Sequence, residues 1–374
     1  MSPELYDAVV VGGGCAGAAA AITLAREGRR VLLVEQSGDA TFKIGEALPP
    51  AARTLLEELE VWDCFTNDGH LPCYGNLSAW GSPDLRSSDF IFDPAGTGWH
   101  LDRQRFDMLL RNAALDAGAE VALGTKLNTK TCELSADSWL LSFSGNAATT
   151  LRSRWLIDAT GRRSAVARAC NEQRHADDAL VAYFAVFNQP ENSRATDQDS
   201  RTLIEAAPDG WWYTALLPSK ARLLAYLTDA DLAPPSLRTK PGYSSYLSQT
   251  THVRACIVKN DYQFGTNVRA VSANSARLRS ATGEGWIAVG DAALSFDPVS
   301  SQGILNALFT GIKAGHAISA KLSGNPDLLS DYDKQVAMIY NAYLQNRSGY
   351  YSLETRWPTH CFWRRRSESL RLIE

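Results

Sequence analysis

Gly12, Gly14 and Gly17 stand at the spacing G-x-G-x-x-G, and a carboxylate, Glu35, follows eighteen residues after the last of them. These residue types suit a ligand that carries phosphate at one point and a sugar at another. Glycine at 12 lets the chain turn tightly, and glycine at 14 leaves a phosphate room to approach the backbone. Glycine at 17 lets a helix lie close to a strand. Cys15 and Ala16 fall at the first turn of that helix, where free N–H groups can meet phosphates, and Glu35 with Gln36 is placed to meet a ribose. A second carboxylate, Asp291, follows Gly290 and is succeeded by Asp297-Pro298 and by Gly303-Ile304. Three further candidates are Glu46 in a Gly-Glu loop, Arg103 in L-D-R-x-x-F-D, and the aromatic run Trp211-Trp212-Tyr213. Each also has a plainer reading: Glu46 as a capping carboxylate, Asp291 as a helix N-cap, Arg103 as a surface ion pair with Asp107, and the aromatics as sheet core.

The elements around these residues decide between the readings. Residues 8–11 are too β-branched and too short for a helix, and read as a buried parallel strand. An Ala-rich helix follows to about residue 27, then a second apolar run over 31–34 that ends on Glu35. Strand, glycine turn, helix, strand and terminal acid together point to dinucleotide binding. A strand over 286–289 ends on Gly290-Asp291, placing a carboxylate at the carboxyl edge of the sheet, where open α/β folds bind ligands. A helix over 303–322 follows it.

Between these two halves the pattern changes. A polar loop over 37–50 leads to a helix over 51–59, and the turn-rich stretch 63–98 reads as short strands of another layer. A helix from 101 to 117 stops at Gly118, and a strand near 120–123 precedes a meander. Strand-like segments over 179–187, 211–217, 223–227 and 253–258, with a helix near 243–248, indicate a mostly antiparallel sheet. The tail, 327–374, reads as one or two helices. The expected divisions are a discontinuous nucleotide-binding domain (1–75, 97–172 and 270–323), a substrate domain (76–96 and 173–269) and a C-terminal helical segment (324–374).

Composition narrows the function classes. A content of 45% hydrophobic and 21% charged residues is that of a soluble globular chain, and a net charge of −4 gives no reason for nucleic-acid or anionic-membrane binding. No apolar run nears the roughly 20 residues that span a bilayer, and the first strand begins too early to leave room for a signal peptide. Seven scattered cysteines without a C-x-x-C pair suit a reducing compartment, the cytoplasm, with most of them buried thiols. No metal site is expected. None of the six histidines falls within a motif, and His100, near Arg103, is a weak catalytic candidate.

Taken jointly, the glycine motif, the L-D-R helix start and the Gly290–Asp297 region resemble the FAD-binding fold of the flavoprotein aromatic hydroxylases. That resemblance implies an α/β chain with a Rossmann-like FAD-binding domain, an inserted, mostly antiparallel β-sheet substrate domain and a helical tail. It implies FAD as cofactor, with Asp291 near the pyrophosphate, Pro298 along the flavin ring and Arg103 reaching toward the cofactor. The family stretch A-D-G-x-x-S-x-x-R is altered here: Thr160 replaces its carboxylate and Arg168 comes one place late. The electron donor is therefore left between a separate reductase and NADPH.

The loops K-I-G-E-A-L-P (43–49) and D-P-V-S-S-Q-G (297–303) resemble the flavin-dependent tryptophan halogenases more closely. Those enzymes need a lysine some thirty residues beyond the Gly-Glu motif, whereas this chain has none between Lys43 and Lys126. Nor does 211–218 reproduce the halogenase W-x-W-x-I-P. What remains similar is the group of flavoproteins that mature the cysteine tryptophylquinone of lysine-oxidase and glycine-oxidase type quinoproteins. That likeness implies an FAD monooxygenase using O₂, through a flavin C4a-hydroperoxide, to hydroxylate a tryptophan of a quinoprotein oxidase precursor. Glu46, Pro298 and Trp212 are the site residues it suggests. The alternatives are a small-molecule flavin oxidoreductase, either an aromatic hydroxylase or an isoprenoid double-bond reductase, and a flavin-binding escort protein without turnover. The basic, aromatic tail 360–366 reads equally as a docking surface for a partner and as an amphipathic helix.

Overall fold

The computed structural model describes residues 4–38, 42–135 and 137–368, so residues 1–3, part of the 37–50 loop (39–41) and the end of the expected C-terminal segment (369–374) lie outside it. Among the described residues, nine strands form one sheet with a parallel centre. Leu5–Val11 lies between Val31–Glu35 and Thr150–Asp158, and Glu120–Leu123 and Trp286–Ala288 extend the parallel order outward. Val11 is in register with Val34 on one side and Asp158 on the other, so three strands end at one level. Gly12 turns the chain there with φ +115°, and a Cβ on it would come 2.2 Å from the Ala159 carbonyl oxygen. Only glycine satisfies both constraints.

The helix Cys15–Arg26 is Ala-rich because it is covered on every side near its start. Ala18, Ala19, Ala20 and Ala21 are fully buried, against the sheet and the helices Arg103–Asp116 and Gly303–Leu322. Gly17 sets the closeness of that packing, since a Cβ there would stand 1.9 Å from the Gly12 carbonyl oxygen.

A second, eight-stranded sheet is antiparallel except where Thr202–Ala207 runs parallel to Gly75–Ala79. Its centre is Leu180–Asn188, Arg222–Asp229 and Gly210–Leu216. Arg269–Ser272 also pairs with Leu180–Asn188, so this sheet reaches past residue 269. Helices Lys240–Leu247 and His252–Lys259 cover its far face, burying Tyr243, Leu247, Val253 and Ile257 against Trp212 and Tyr226.

Two segments differ from the sequence-based expectation. Residues 253–258, read as a strand, belong to the helix His252–Lys259. Val253 and Ile257, four apart, face the core, a helical period hidden among β-branched residues. The buried carboxylate of Glu205 accepts N–H bonds from Thr251 (2.6 Å), His252 (2.9 Å) and Val253 (2.8 Å), a helix cap supplied from another strand. The stretch read as short strands likewise begins with a helical turn, Trp62–Thr66. The cysteines are free thiols, but only Cys15 and Cys73 are buried, fewer than expected.

The tail joins the two sheets. Helix Asp327–Ser352 buries Tyr332, Tyr340 and Tyr343 in the first core and Tyr351 in the second. In Cys361–Glu368, Phe362 and Trp363 are buried, while Arg365 (3.0 Å) and Arg366 (2.8 Å) both bind Asp229. Among the described residues no helix is long and apolar enough to cross a membrane.

Glu205→Ala removes a buried acceptor from three N–H groups. The expected loss is about 2 kcal/mol or more, read as a lower urea midpoint for the second sheet's fluorescence than in the parent protein.

Candidate functional site

A cavity of about 1070 Å³ lies between the carboxyl edge of the parallel sheet and the near face of the second sheet. Twelve of the residues singled out from sequence line it: Gly12, Gly14, Cys15, Ala16, Glu35, Gln36, Glu46, Arg103, Asp291, Pro298, Gly303 and Ile304. Gly17 and Gly290 stand behind the wall, Gly17 in the helix–strand contact and Gly290 with φ +56° and its N–H on Thr310 Oγ1 at 2.8 Å. Their part is to shape the backbone.

At one end, Glu35 accepts N–H bonds from Gly13 (Oε2, 2.7 Å) and Ser37 (Oε1, 2.9 Å), which fixes the carboxylate at the cavity edge. Gly14 is the N-cap of the first helix and no side chain caps it. A Cβ built on Gly14 meets no atom within 4 Å, so this turn of backbone is bare toward the cavity. The helix's first N–H groups have no intrahelical acceptor, and the positive end of its dipole points the same way.

Arg103 resolves the choice left by its sequence, because it both pairs with Asp107 and lines the cavity. One Nη donates to Gly45 O at 2.8 Å and the other to Asp107 Oδ1 at 3.2 Å. Its Nε is buried with no partner among the described residues. Asp107 is 3% exposed and also holds Lys43 Nζ at 2.7 Å. Burial alone would raise the Asp107 carboxyl, but the Arg103 guanidinium and Lys43 ammonium outweigh it and hold it below the usual carboxylate range. The neighbouring Cys15 thiol, which donates to Asp107 Oδ1, is pushed up to about 12 by burial and that carboxylate, so it is no nucleophile.

Toward the second sheet, Glu46 is 2% exposed and its carboxyl oxygens accept from the Tyr213 hydroxyl at 2.8 and 3.1 Å. Burial raises the Glu46 pKa above its ordinary value, against the hydrogen bond from Tyr213. Burial and the adjacent carboxylate push Tyr213 up as well, so its hydroxyl stays protonated. Tyr213 shares the cavity wall with Trp211 and Phe184.

Trp212 does not belong to the site. Strand periodicity turns it to the far face, where it packs on Tyr226 (5.0 Å between ring centroids) and Tyr243 (4.9 Å). His100 also lies outside the cavity wall. It is bonded to Leu216 O and Thr202 Oγ1, both at 2.9 Å, and burial pushes its pKa down to about 4.

Sequence reasoning missed Phe184 and the role of Arg162. The Arg162 guanidinium donates to Phe296 O at 3.0 Å and meets Asp291 at 3.4 Å, tying the 159–164 loop to the Asp291–Pro298 region. Thr160, which stands where the hydroxylase motif has a carboxylate, donates to Asp158 Oδ1 at 2.6 Å and accepts from Ala165 N–H at 2.7 Å. It is consumed in closing the turn.

Residues 5–347 match the FAD binding domain family model. The chain belongs to that family. It is 33% identical to the FAD-dependent oxidoreductase LodB of Marinomonas mediterranea, over 97% of each chain. In fold it superposes on the myxobacterial chondrochloren halogenase CndH with a TM-score of 0.88, at 23% identity over 99% of this chain and 90% of that one. It also superposes on QhpG, a peptidyl tryptophan dihydroxylase essential for tryptophylquinone cofactor biogenesis, with a TM-score of 0.73, at 22% identity over 98% and 79%. The fold is thus the α/β flavoprotein fold that the motifs indicate, the protein is a flavin-dependent oxidoreductase, and its cofactor is FAD. The bare backbone at Gly14, the uncapped helix start and the unpartnered Arg103 Nε fit an anionic dinucleotide.

Gly14→Val separates folding from cofactor binding, because a Cβ at this position enters the cavity and meets no protein atom within 4 Å. The variant is expected to keep its thermal transition and circular dichroism while losing flavin absorbance on gel filtration. Heat denaturation of the parent is expected to release FAD and not FMN.

Proposed function

We propose that Gly12 to Gly17 hold the FAD pyrophosphate, Glu35 and Gln36 the adenosine ribose, and Arg103, Asp291 and Gly303-Ile304 the middle of the cofactor, with Pro298 beside the flavin ring. On this assignment the protein is a monooxygenase that hydroxylates a tryptophan side chain of a partner protein, a step in the maturation of a cysteine tryptophylquinone cofactor.

The carrying observation is the aromatic wall that lines the cavity together with Pro298. Trp211, Tyr213 and Phe184 build it from aromatic rings, of which Tyr213 is the more open to the cavity, and the buried acid–phenol pair Glu46–Tyr213 stands among them. Two lysines line the cavity: Lys43 is paired with Asp107, and Lys126 is exposed. No lysine lies between them in the sequence, which disfavours halogenation. LodB supports a redox reading over the full chain, and QhpG supports a tryptophan within a polypeptide as the guest.

Reduced flavin supplies the activation of O₂; the protein orients the indole, excludes water and manages one proton. Oxygen addition to an indole carbon leaves a ring proton that must depart before aromaticity returns. On this reading the Glu46 carboxylate accepts it. Tyr213 holds that carboxylate by donating its hydroxyl hydrogen, and burial gives Glu46 the raised basicity that proton removal needs.

The acceptor role has a sign. Glu46 works as the carboxylate, so activity is present above its folded pKa and lost as pH falls through it, at a value above the ordinary carboxylate figure of about 4.3. Glu46→Gln is expected to remove that acid limb and to lower the rate by about 10²-fold or more while FAD is retained. An unchanged limb in the variant would assign it to another group.

Thr160 stands where the hydroxylase motif has a carboxylate, and its hydroxyl is engaged in its own turn. Mixing oxidised protein with NADPH under anaerobic conditions is accordingly expected to bleach the flavin far more slowly than a typical turnover of about 10 s⁻¹. Fast bleaching would make NADPH the donor and dispense with a separate reductase.

Co-expression of a quinoprotein precursor with and without this chain tests the reading as a whole. Intact mass measurement is expected to show oxygen gained on the precursor only in the presence of the chain. Equal maturation without it would leave a small aromatic molecule as the guest.

A further inference from the structure

Beside the cavity lies a line of four indoles that cofactor binding and proton removal leave unused. Trp211 forms part of the cavity wall and is 1% exposed. Its ring centroid is 6.0 Å from that of Trp80, Trp80 is 5.2 Å from Trp363, and Trp363 is 6.0 Å from Trp357. Trp80 and Trp363 are buried, while Trp357 is part-exposed at the molecular surface. The line therefore runs without interruption from the cavity to solvent. Such spacings lie within the roughly 4.5–7 Å of ordinary aromatic packing, and phenylalanine or leucine could have filled the same layer. Here every link is an indole, the most easily oxidised of the packing side chains. Each buried one donates its N–H: Trp211 to the Tyr351 hydroxyl, Trp80 to Tyr350 O and Trp363 to Ala207 O, all at 3.0 Å. Tyr351 in turn donates to Asp297 Oδ2 at 2.7 Å, so Trp211 alone has a proton path to a carboxylate.

We propose that Trp211, Trp80, Trp363 and Trp357 form an electron route that carries oxidising equivalents out of the cavity to the surface. It extends beyond the hydroxylation reading and holds equally for a small-molecule guest, since it requires only oxygen chemistry in the cavity. The oxidant is an oxygen-centred radical formed there. It takes one electron from Trp211 and one proton from solvent and becomes the alcohol, hydroperoxide or water. Trp211 loses its Nε1 proton to Tyr351 as Tyr351 passes its own to Asp297, so the first hole forms as a neutral indolyl radical, and Trp80 and Trp363 carry it onward as transient radical cations. An electron from Trp80 then refills Trp211 while the protons return. Trp363 refills Trp80, and Trp357 refills Trp363. At the surface a soluble thiol reduces Trp357, giving up its electron and proton, and two thiyl radicals combine to a disulfide. Two oxygen-centred radicals and two thiols thus become two reduced oxygen species and one disulfide. Solvent draws the hole outward, because a cation is better solvated at the exposed end. Arg356 lies 4.4 Å from the Trp357 ring centroid, but Glu354 binds that guanidinium at 2.9 Å and offsets its charge.

The test cycles the holoenzyme with dithionite in air, without substrate, and maps oxygen addition by peptide mass spectrometry. In the parent, addition is expected to concentrate on Trp357 and to be suppressed by glutathione. Trp62 and Trp99, also part-exposed but off the line, serve as the measure of attack from bulk solvent. Trp363→Phe or Trp80→Phe is expected to lower addition at Trp357 several-fold, to the level of Trp62, and to raise it several-fold at Trp211 even with glutathione. Trp357→Phe, a surface change that leaves the buried layer whole, is expected to move addition to Trp363. Addition at Trp357 that matches Trp62 in the parent overturns the proposal. So does a failure of Trp357→Phe to move addition inward to Trp363.

Discussion

One buried carboxylate holds the site in its working shape. Asp107 sits in a helix that opens on Arg103, and it neutralises both Arg103 and Lys43 while receiving the Cys15 thiol. The loop carrying Glu46 is gripped at three points by the segment around that helix start. Leu101 N–H donates to Glu46 O at 2.8 Å, Arg103 donates to Gly45 O, and Asp107 holds Lys43. Without Asp107 the Arg103 guanidinium, 15% exposed, would lose its buried counter-charge, and breaking such a buried pair costs about 3–5 kcal/mol, whereas solvent screens the more exposed Lys43. The arrangement also leaves Arg103 with a donor to spare, because its paired Nη groups are committed and its Nε is not. The same pairing that fixes Arg103 structurally therefore leaves a buried donor at the cavity.

That pairing fixes Glu46, and Glu46 fixes the relation of the two sheets. The carboxyl is carried by the nucleotide side of the molecule and the phenol by the second sheet, so the Glu46–Tyr213 bond spans the cavity wall where the two meet. Arg162 and Asp291 make a comparable tie on the other side, and the Tyr351–Asp297 bond anchors the C-terminal helix to the loop that ends in Pro298. Charges and phenols are costly to bury singly, and each of these three pairs is satisfied across the seam, so the seam specifies one geometry.

The cofactor end was legible in the sequence because backbone geometry dictates residue type there. At Gly12 and Gly17 no other residue fits, and at Gly14 a side chain would stand in the cavity, so spacing alone carried the placement. The guest end was harder to read. The second sheet is buried on both faces, by the cavity and by the helices over 240–259, so its strands show no alternation of apolar and polar residues. Three successive aromatics at 211–213 then give no sign of which face is which, and Trp212 was assigned to the wrong one. The helix His252–Lys259 was misread for a related reason. Its N-terminus is capped by Glu205, some fifty residues earlier in the chain, so no local capping residue announces it.

The same two-sided burial separates specificity from stability along one strand. In Gly210–Leu216, Trp211 and Tyr213 face the cavity, whereas Trp212 and Leu216 lie in the layer packed under the two helices. Changes at 211 and 213 reshape the guest's surroundings while that helix-covered layer stays intact. Changes at 212 instead open a void among Tyr226, Tyr243 and Leu216, where lost packing, and not lost chemistry, sets the cost. A strand built this way can exchange one guest for another by alternate substitutions without a new fold. Odd positions of the strand thus shape the cavity wall and even positions the covered layer, with one sheet carrying both.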